Sequence, residues 1–332
     1  MTFCRRRLRY LSYFLTVLTL FLCGCSTLAS KSVSKSALLL GTAVKITLYD
    51  SSDESIIDSC FELCREYEAL FSSNIEDSEI SLLNERKIST VSDDTAALLL
   101  KGLNYCELSN GAFDLTIEPV SSLWRFGSDE PQLPDAAALA AAAEMVDYQS
   151  VRLEGNTVSF SSPYTRIDLG AIAKGFIADR LKEHLLSQGV EHAIINLGGN
   201  VLCIGGKPDG SSFSVGIQKP FAEESAATLK ISDGSVVTSG VYERCFEKDG
   251  VLYHHILDTS TGMPVENGLL SVTIVSESST DGDALSTACF ALGLERGMEL
   301  LNSIDGVYGM FITDDYELHF SEGFETSYII TH

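Results

Sequence analysis

The spacing of apolar residues changes period within a few positions, and this limits the fold more than any other feature of the chain. In "LLLGTAVKITLYD", Val44, Ile46 and Leu48 alternate, the mark of a half-buried strand. Directly after it, in "SSDESIIDSCFELCREYEALFS", the apolar positions 56, 57, 60, 61, 64, 67, 70 and 71 trace one face of a helix, with Asp53 or a preceding serine placed to cap it. The same switching continues. Residues 92–109 read as a helix stopped near Gly111, "PDAAALAAAAEM" as another, and "SVRLEGNTVSF" as a hairpin turning at Gly155-Asn156. A helix over "DLGAIAKGFIADRLKEHLLSQG", beginning at Asp168, leads into a strand, "HAIINLGG". Strands are expected at 213–218, 227–232, 251–257 and 270–276, helices at 281–293 and 295–303, and a last hairpin turning at Asp314-Asp315. Strands and helices interleave without regular βαβ alternation, so the fold class is α+β rather than a doubly wound sheet. No fixed-period repeat and no long linker divides residues 37–332, which read as one compact unit.

The N-terminus stands apart from this pattern. Arg5, Arg6, Arg7 and Arg9 precede "LSYFLTVLTLFL", an apolar run of signal-peptide length that ends in "LCGC", Leu22 to Cys25. An aliphatic residue, two small or modest ones and then cysteine resembles a bacterial lipobox. On that reading residues 1–24 are a lipoprotein signal peptide and Cys25 is lipidated. Residues 25–36, Ser-rich and polar, form a flexible tether. A plain secretory signal or an uncleaved anchor are the simpler alternatives. The lipobox places the protein outside the cytoplasm, lipid-anchored to a bacterial membrane, in the periplasm or on the outer face of the cytoplasmic membrane.

The 332-residue chain carries 23 basic and 46 acidic residues, a formal charge of −23, which is the wrong sign for a nucleic-acid partner. A phosphorylated substrate would then need a bridging cation or a local basic residue. Outside the export segment lie Cys60, Cys64, Cys106, Cys203, Cys245 and Cys289, with no CxxC pair and no zinc-like spacing. Cys60 and Cys64 sit one helical turn apart among apolar residues and read as core thiols.

Four segments concentrate Gly, Asp and hydroxyl residues beside apolar runs. "NGAFDLTIEPVSSLWRFG" holds the only tryptophan, Trp124, and reads either as a functional loop or as a loop with an aromatic staple. "RIDLGAIAKGFIADRL" puts Lys174 on the first turns of a helix, an arrangement that suits a pyrophosphate, although a capped helix with a solvated lysine reads equally. The P-loop pattern is absent. In "VVTSGVYERCFEKDGVLYHHILDTSTGMP" the adjacent His254 and His255 point to opposite faces of a strand, so at most one faces a given pocket. In "TDGDALSTACF", Asp283 and Thr287 are four apart on one helix face. A carboxylate with a hydroxyl suits Mg²⁺ or Ca²⁺ and suits zinc poorly. Two such oxygens hold a cation weakly, and alone the stretch reads more simply as a helix start, with Asp281 as a capping residue and Ser286 as a helix-surface hydroxyl.

Taken in order, the motifs "LLGT", "DSEISLLN", "GAFDLTIEPVSSLWRFG", "IDLGAIAKGFIAD", "INLGGN", "TSGVYER", "HHILDTSTG" and "DGDALSTA" resemble the ApbE-type family of FAD:protein FMN transferases from about Leu38 to near the C-terminus. The resemblance implies an α+β domain with two lobes and FAD in the cleft between them. It implies that Asp283, Thr287 and the backbone carbonyl of Ala171 hold a divalent ion, Mg²⁺ or else Ca²⁺ or Mn²⁺. It further implies that Leu40, Ala112, Phe113, Asp114, Asp168, Lys174 and His255 contact FAD. The activity would be transfer of FMN from FAD to a threonine hydroxyl of an exported or membrane redox protein, with release of AMP. His255 would be the base at the incoming hydroxyl, and Asp283 would serve the metal.

This chain departs from the family's common pattern at several positions. Leu40 stands where methionine is common, Thr259 where proline follows the aspartate, and Val241 where an acidic residue is usual. Asn74 occupies a position where an aromatic residue, often tyrosine, packs on the flavin nucleotide. Asparagine cannot stack, so a metal-dependent FAD pyrophosphatase giving FMN and AMP is the alternative activity. A lipid-anchored flavin-binding protein without turnover comes next, and a generic phosphodiesterase is disfavoured by the single Asp/Thr pair.

Overall fold

The computed structural model describes residues 32–126, 130–327 and 330–331. Cys25 and the signal-peptide segment lie outside them. The strands are β1 (Val33–Leu39), β2 (Thr42–Leu48), β3 (Val151–Glu154), β4 (Thr157–Phe160), β5 (Ala193–Leu197), β6 (Asn200–Ile204), β7 (Phe213–Gln218), β8 (Ser225–Ile231), β9 (Gly234–Gly240), β10 (Cys245–Lys248), β11 (Val251–His254), β12 (Leu269–Ser276), β13 (Tyr308–Thr313), β14 (Leu318–Phe320) and β15 (Ile330–Thr331). The helices are α1 (Glu54–Phe71), α2 (Glu79–Asn84), α3 (Asp93–Leu108), α4 (Glu118–Trp124), α5 (Ala136–Ala143), α6 (Ala173–Ser187), α7 (Ser279–Leu292), α8 (Leu294–Asn302) and α9 (Phe324–Ser327). The expected α+β class holds.

An eight-stranded sheet in the order β1-β2-β5-β6-β9-β12-β13-β14 is the frame, and every neighbouring pair in it is antiparallel. Both faces of its centre are covered, so alternate residues of one strand enter different cores. Leu202 and Ile204 of β6 join the large core with the helices, whereas Cys203 between them joins a second core. Phe311 of β13 likewise faces the helices while Met310 and Ile312 face the other side. That second core is closed by the small sheet β15-β8-β7, through Phe213, Val215, Ile217, Leu229 and Ile231. A satellite cluster gathers Val120, Trp124, Leu139 and Leu257, where Trp124 Nε1–H donates to the Gly262 carbonyl at 2.9 Å. The hydrogen bond removes the cost of burying the indole N–H.

Several expectations need correction. "LLLGTAVKITLYD" is a hairpin, not one strand: the chain turns at Leu40 and Gly41, with φ of 56° and 66°. The tether expected to run through Ser36 gives way to β1 from Val33, an edge strand that presents Leu38 to solvent. The helix expected from Asp168 begins at Ala173, because Asp168 Oδ1 accepts from the Gly170 N–H at 2.8 Å and forms a local turn instead. The strand expected over 251–257 ends at His254, after which Val265 N–H pairs with the Ile256 carbonyl at 3.0 Å. Helices α2, α4 and α9 and strands β6, β9, β10 and β15 were not anticipated. The six described cysteines are all free and all but Cys245 are buried; Cys60 and Cys64 are among the buried ones, as expected of core thiols.

Candidate active site

Helices α6 and α7 cross with their N-terminal turns together, and the crossing assembles much of what the motifs suggested. Ser278 caps α7, its Oγ accepting from the Asp281 N–H at 3.3 Å. Asp281, the other carboxylate of "TDGD", is therefore not the cap; Lys101 holds it at 2.9 Å and the Tyr105 hydroxyl donates to it. Asp283 is buried and turns toward α6. Its Oδ2 accepts from the Gly175 N–H at 2.9 Å and its Oδ1 lies 3.3 Å from Lys174 Nζ. In a continuing helix the Gly175 N–H would aim at the Ala171 carbonyl four residues back, so its use by Asp283 leaves that carbonyl oxygen available. One turn along α7, Thr287 Oγ1 is 3.2 Å from Ser239 Oγ of β9, which is also 2.8 Å from Ser286 Oγ. Ser286 is thus a buried hydroxyl, not a surface one.

Gly175 is required at this crossing. A Cβ there would sit 2.2 Å from the Ser279 carbonyl oxygen and 2.7 Å from Thr280 Cα, both backbone atoms. The offered ligands are oxygens only: a carboxylate, a hydroxyl and a carbonyl. That donor set fits a hard divalent cation. Among the described residues no group of three or more His, Cys, Asp or Glu gathers, so such an ion would rely on neutral oxygens, water and substrate phosphates.

The "IDLG" and "GAFD" segments are tied to each other. Asp168 N–H donates to the Leu115 carbonyl at 2.8 Å, and Asp168 Oδ2 accepts from Ser121 Oγ at 2.9 Å. Asn84 of α2 brackets the preceding residue, donating to the Ile167 carbonyl at 2.8 Å and accepting its N–H at 2.6 Å. Phe113 is buried and its N–H donates to Ser109 Oγ at 3.0 Å, while Ala112 N–H reaches the Ser109 carbonyl at 3.3 Å. Asp114 is buried with both oxygens engaged: Oδ1 by the Thr116 N–H and hydroxyl, each at 2.7 Å, and Oδ2 by the Tyr148 N–H at 3.0 Å. Burial raises its pKa and these hydrogen bonds pull the other way without cancelling the rise. A cavity of about 360 Å³ opens beside this loop, lined in part by Gly111, Asp114, Tyr148 and Thr259. Thr259, in place of the family's common proline, donates its hydroxyl to the Gly111 carbonyl at 2.8 Å.

The histidines divide as the strand geometry requires. His254 is buried edge-on to Phe290, with Nε2 3.2 Å from the Val265 carbonyl. His255 faces the charged cluster. Its backbone N–H donates to the Arg244 carbonyl at 3.1 Å, and its Nδ1 is buried without a hydrogen-bond partner. Burial, then the positive charges of Arg244 and Lys174 and the neighbouring His254, push its pKa down to about 3. At neutral pH the imidazole is therefore uncharged. Glu243 reaches solvent from this cluster, yet the surrounding walls displace enough water to raise its carboxyl pKa, with Asp283 adding to the rise and Lys174 and Arg244 opposing it.

Two candidate residues stand on other elements. Leu40 occupies the β1-β2 turn, whose Thr42 presses on Gly198: a Cβ there would lie 2.1 Å from Thr42 Oγ1, and its φ is 61°. Asn74 is exposed in the loop after α1, next to the exposed Ile75. Ser239, Glu243, Arg244 and Asn84 lay inside the quoted motifs without being singled out, because their partners are distant in sequence.

The ApbE family model matches residues 40–311. The chain is 39% identical over 292 residues to a protein of Klebsiella pneumoniae named FAD:protein FMN transferase, covering 86% of this chain and 90% of that one. A protein of the same name from Treponema pallidum is 35% identical, covering 92% of each chain. Among solved structures, the ApbE protein of Thermotoga maritima superposes with a TM-score of 0.82 at 30% identity, covering 89% of this chain and 99% of that one. The flavin transferase ApbE of Vibrio cholerae superposes with a TM-score of 0.79 at 28% identity, over 89% and 99% of the two chains. This chain belongs to the ApbE family.

Proposed function

We propose that the chain is an FAD:protein FMN transferase that moves FMN from FAD onto a threonine hydroxyl of an acceptor protein. The observation that supports this reading is the crossing of α6 and α7, where the buried Asp283 meets Lys174 and the Gly175 N–H one turn before Thr287, and Lys174 is close enough to bear on a neutral His255. The hydroxyl oxygen attacks the FMN-side phosphorus, the bond from that phosphorus to the bridging oxygen breaks, and AMP leaves with that oxygen. A bound divalent ion, Mg²⁺ or else Mn²⁺ or Ca²⁺, would neutralise the pyrophosphate and stabilise charge on the leaving oxygen. Lys174 pairs with Asp283; a divalent ion would compete with the lysine for that carboxylate, and the displaced ammonium would then serve the FAD phosphates. His255 takes the hydroxyl proton; a neutral imidazole is the form that can accept one. Asp168 and the Ala112–Asp114 loop, linked through Leu115, fix the wall against which the nucleotide lies.

Cys25 is proposed as the lipid attachment site, which places the enzyme on a membrane outside the cytoplasm, where exported or membrane redox proteins are its acceptors. The deciding measurement is mass spectrometry of a threonine-bearing acceptor peptide after incubation with enzyme, FAD and Mg²⁺. An FMN adduct on threonine supports the reading; AMP release with unmodified peptide rejects it.

One observation supports a second reading. Asn74, exposed beside Ile75, offers no ring for a flavin to stack on. Water can then replace the hydroxyl and the same site yields FMN and AMP. Incubation with FAD and Mg²⁺ but no acceptor tests this, and AMP at the uncatalysed rate ends it.

A further inference from the structure

Asp179 lies on α6, one turn beyond Gly175, and its carboxylate accepts four hydrogen bonds from the start of α7. The donors are Ser278 Oγ at 3.0 Å, Ser279 N–H at 2.8 Å, Thr280 N–H at 2.9 Å and Thr280 Oγ1 at 2.6 Å. Oδ2 accepts three of them and Oδ1 accepts the Ser279 N–H. Two of those donors are N–H groups that the first turn of a helix leaves without partners. At the same crossing the missing Cβ of Gly175 lets the α7 backbone approach, and Gly175 N–H holds Asp283. Two points on α6, four residues apart, therefore grip two points on α7, and residues four apart share a helix face.

The ligand oxygens come from the two sides of this grip. The Ala171 carbonyl belongs to the turn leading into α6; Asp283 and Thr287 belong to α7. Their mutual spacing depends on how the two helices are joined, and Asp179 makes the densest polar join between them. We infer that Asp179 is a positioning residue for the cation: by anchoring the first turn of α7 to α6 it sets the distance between the Ala171 carbonyl and the Asp283 carboxylate. Its role is exerted through α7, because its oxygens are taken by Ser278, Ser279 and Thr280. The inference rests on the proposed ligand set. It goes beyond it by assigning the metal's affinity to a residue outside that set.

The fold supplies reasons for a variant to survive. The first turn of α7 keeps Lys101 and Tyr105 on Asp281, and Ser279 Oγ keeps its bonds with Ser235 at 3.0 Å and Asn200 at 2.7 Å. The test compares the parent chain with Asp179→Ala, Asp179→Asn and, as an independent way to separate the helices, Gly175→Ala. Mn²⁺ binding is read by electron paramagnetic resonance with Mn²⁺ alone, and Mg²⁺ dependence is read from AMP release. Outer-shell partners of metal ligands are worth about 10–100-fold in affinity. Asp179→Ala should weaken Mn²⁺ binding and raise the half-saturating Mg²⁺ by at least about tenfold. At saturating Mg²⁺ its kcat should return to within about threefold of the parent, with KM for FAD changed by less than about twofold. Asp179→Asn should fall between, and Gly175→Ala should shift Mn²⁺ binding the same way with Asp179 intact. Should Asp179→Ala fail to fold, Asp179→Asn carries the same criteria.

If the Asp179 variants lose melting temperature but bind Mn²⁺ within about twofold of the parent, Asp179 is only a cap and the inference is overturned. A parent enzyme that binds Mn²⁺ yet never releases AMP from FAD breaks the functional reading and leaves this one standing. A parent that binds no Mn²⁺ overturns both the cation site and its positioning residue.

Discussion

Asp283 and Asp114 are both buried carboxylates at the heart of sequence motifs, and their surroundings make them opposites. Asp114 is closed in by neutral donors: two hydrogen bonds from Thr116 fold the 110–116 loop on itself and one from the Tyr148 N–H ties it down. Asp283 has one neutral donor, Gly175 N–H, and one mobile cation, Lys174, whose side chain is 25% exposed. A carboxylate satisfied by fixed backbone groups is a brace. A carboxylate balanced by a long, partly exposed lysine can exchange that partner for another cation as substrate enters. The motif pattern alone does not separate these roles, since each residue follows a glycine by no more than three positions and stands beside apolar residues.

The largest effect expected from this contrast belongs to Asp283. Asp283→Ala should lower Mg²⁺-dependent AMP release by more than about a hundredfold, the scale of losing a main electrostatic stabiliser. The Gly175 N–H it abandons is buried but can turn to the Ala171 carbonyl four residues back, so the stability loss should stay near about 1 kcal/mol, below that at Asp114. Full activity at ordinary Mg²⁺ would return Asp283 to the status of a helix-start residue. Asp114→Ala should show the reverse: a loss of about 3 kcal/mol in denaturant unfolding, from stranding buried donors of Thr116 and Tyr148, with turnover per folded molecule reduced far less. If stability holds and turnover collapses, Asp114 is a substrate contact and the contrast is wrong.

The pH axis sharpens the same distinction through His255. Its pKa is lowered from 6.5 to about 3 in the fold, so below about pH 6.5 the unfolded chain binds a proton that the folded chain refuses. Stability is therefore lost as pH falls from about 6.5 toward about 3, with a slope of at most about 1.4 kcal/mol per pH unit. Solvent at the partly exposed edge of the ring screens some of this, leaving roughly 1–2 kcal/mol between pH 7 and pH 5. Asp114 contributes with the opposite sign, because its raised pKa lets the folded chain take up a proton before the unfolded one. Urea titrations of the parent and His255→Gln at the two pH values separate these terms. A variant with the same acid slope as the parent would show that the histidine is not the group refusing the proton.

What was legible in the sequence was local. Alternation at Val44, Ile46 and Leu48 and the helical face from Ile56 to Phe71 depend on neighbours a few residues away, and both elements form. The Asp283/Thr287 pair was legible for the same reason, being one turn of one helix. Strand β1 was missed because an edge strand needs only one apolar face, and the Ser and Lys of "VSKSALL" blur its alternation. Its turn was missed because Leu40, not Gly or Asn, adopts the first left-handed position. The late start of α6 follows from one side chain: Asp168 bonds two residues ahead and delays the helix. Asp179 gave no signal at all, since its four donors lie about a hundred residues downstream. Periodicity reports which face is buried. It does not report which distant backbone a carboxylate will cap.

The smallest effect tests how far the brace around Asp114 extends. Thr259 departs from the family's common proline, and its hydroxyl holds the Gly111 carbonyl at 2.8 Å, joining the "DTSTG" turn to the loop that Asp114 stabilises. A proline has no hydroxyl to give, but it stiffens the turn by fixing φ. Thr259→Val removes the hydrogen bond and keeps the side chain's shape, so it should cost about 1 kcal/mol. Thr259→Pro should recover part of that loss by lowering the entropy of the unfolded chain, since the residue's N–H makes no hydrogen bond among the described residues. Both changes should leave Mn²⁺ binding at the α6-α7 crossing unaltered, because the brace and the cation site share no hydrogen-bond partner. A shift in Mn²⁺ affinity with Thr259→Val would join the two regions into one unit and erase the distinction between Asp114 and Asp283.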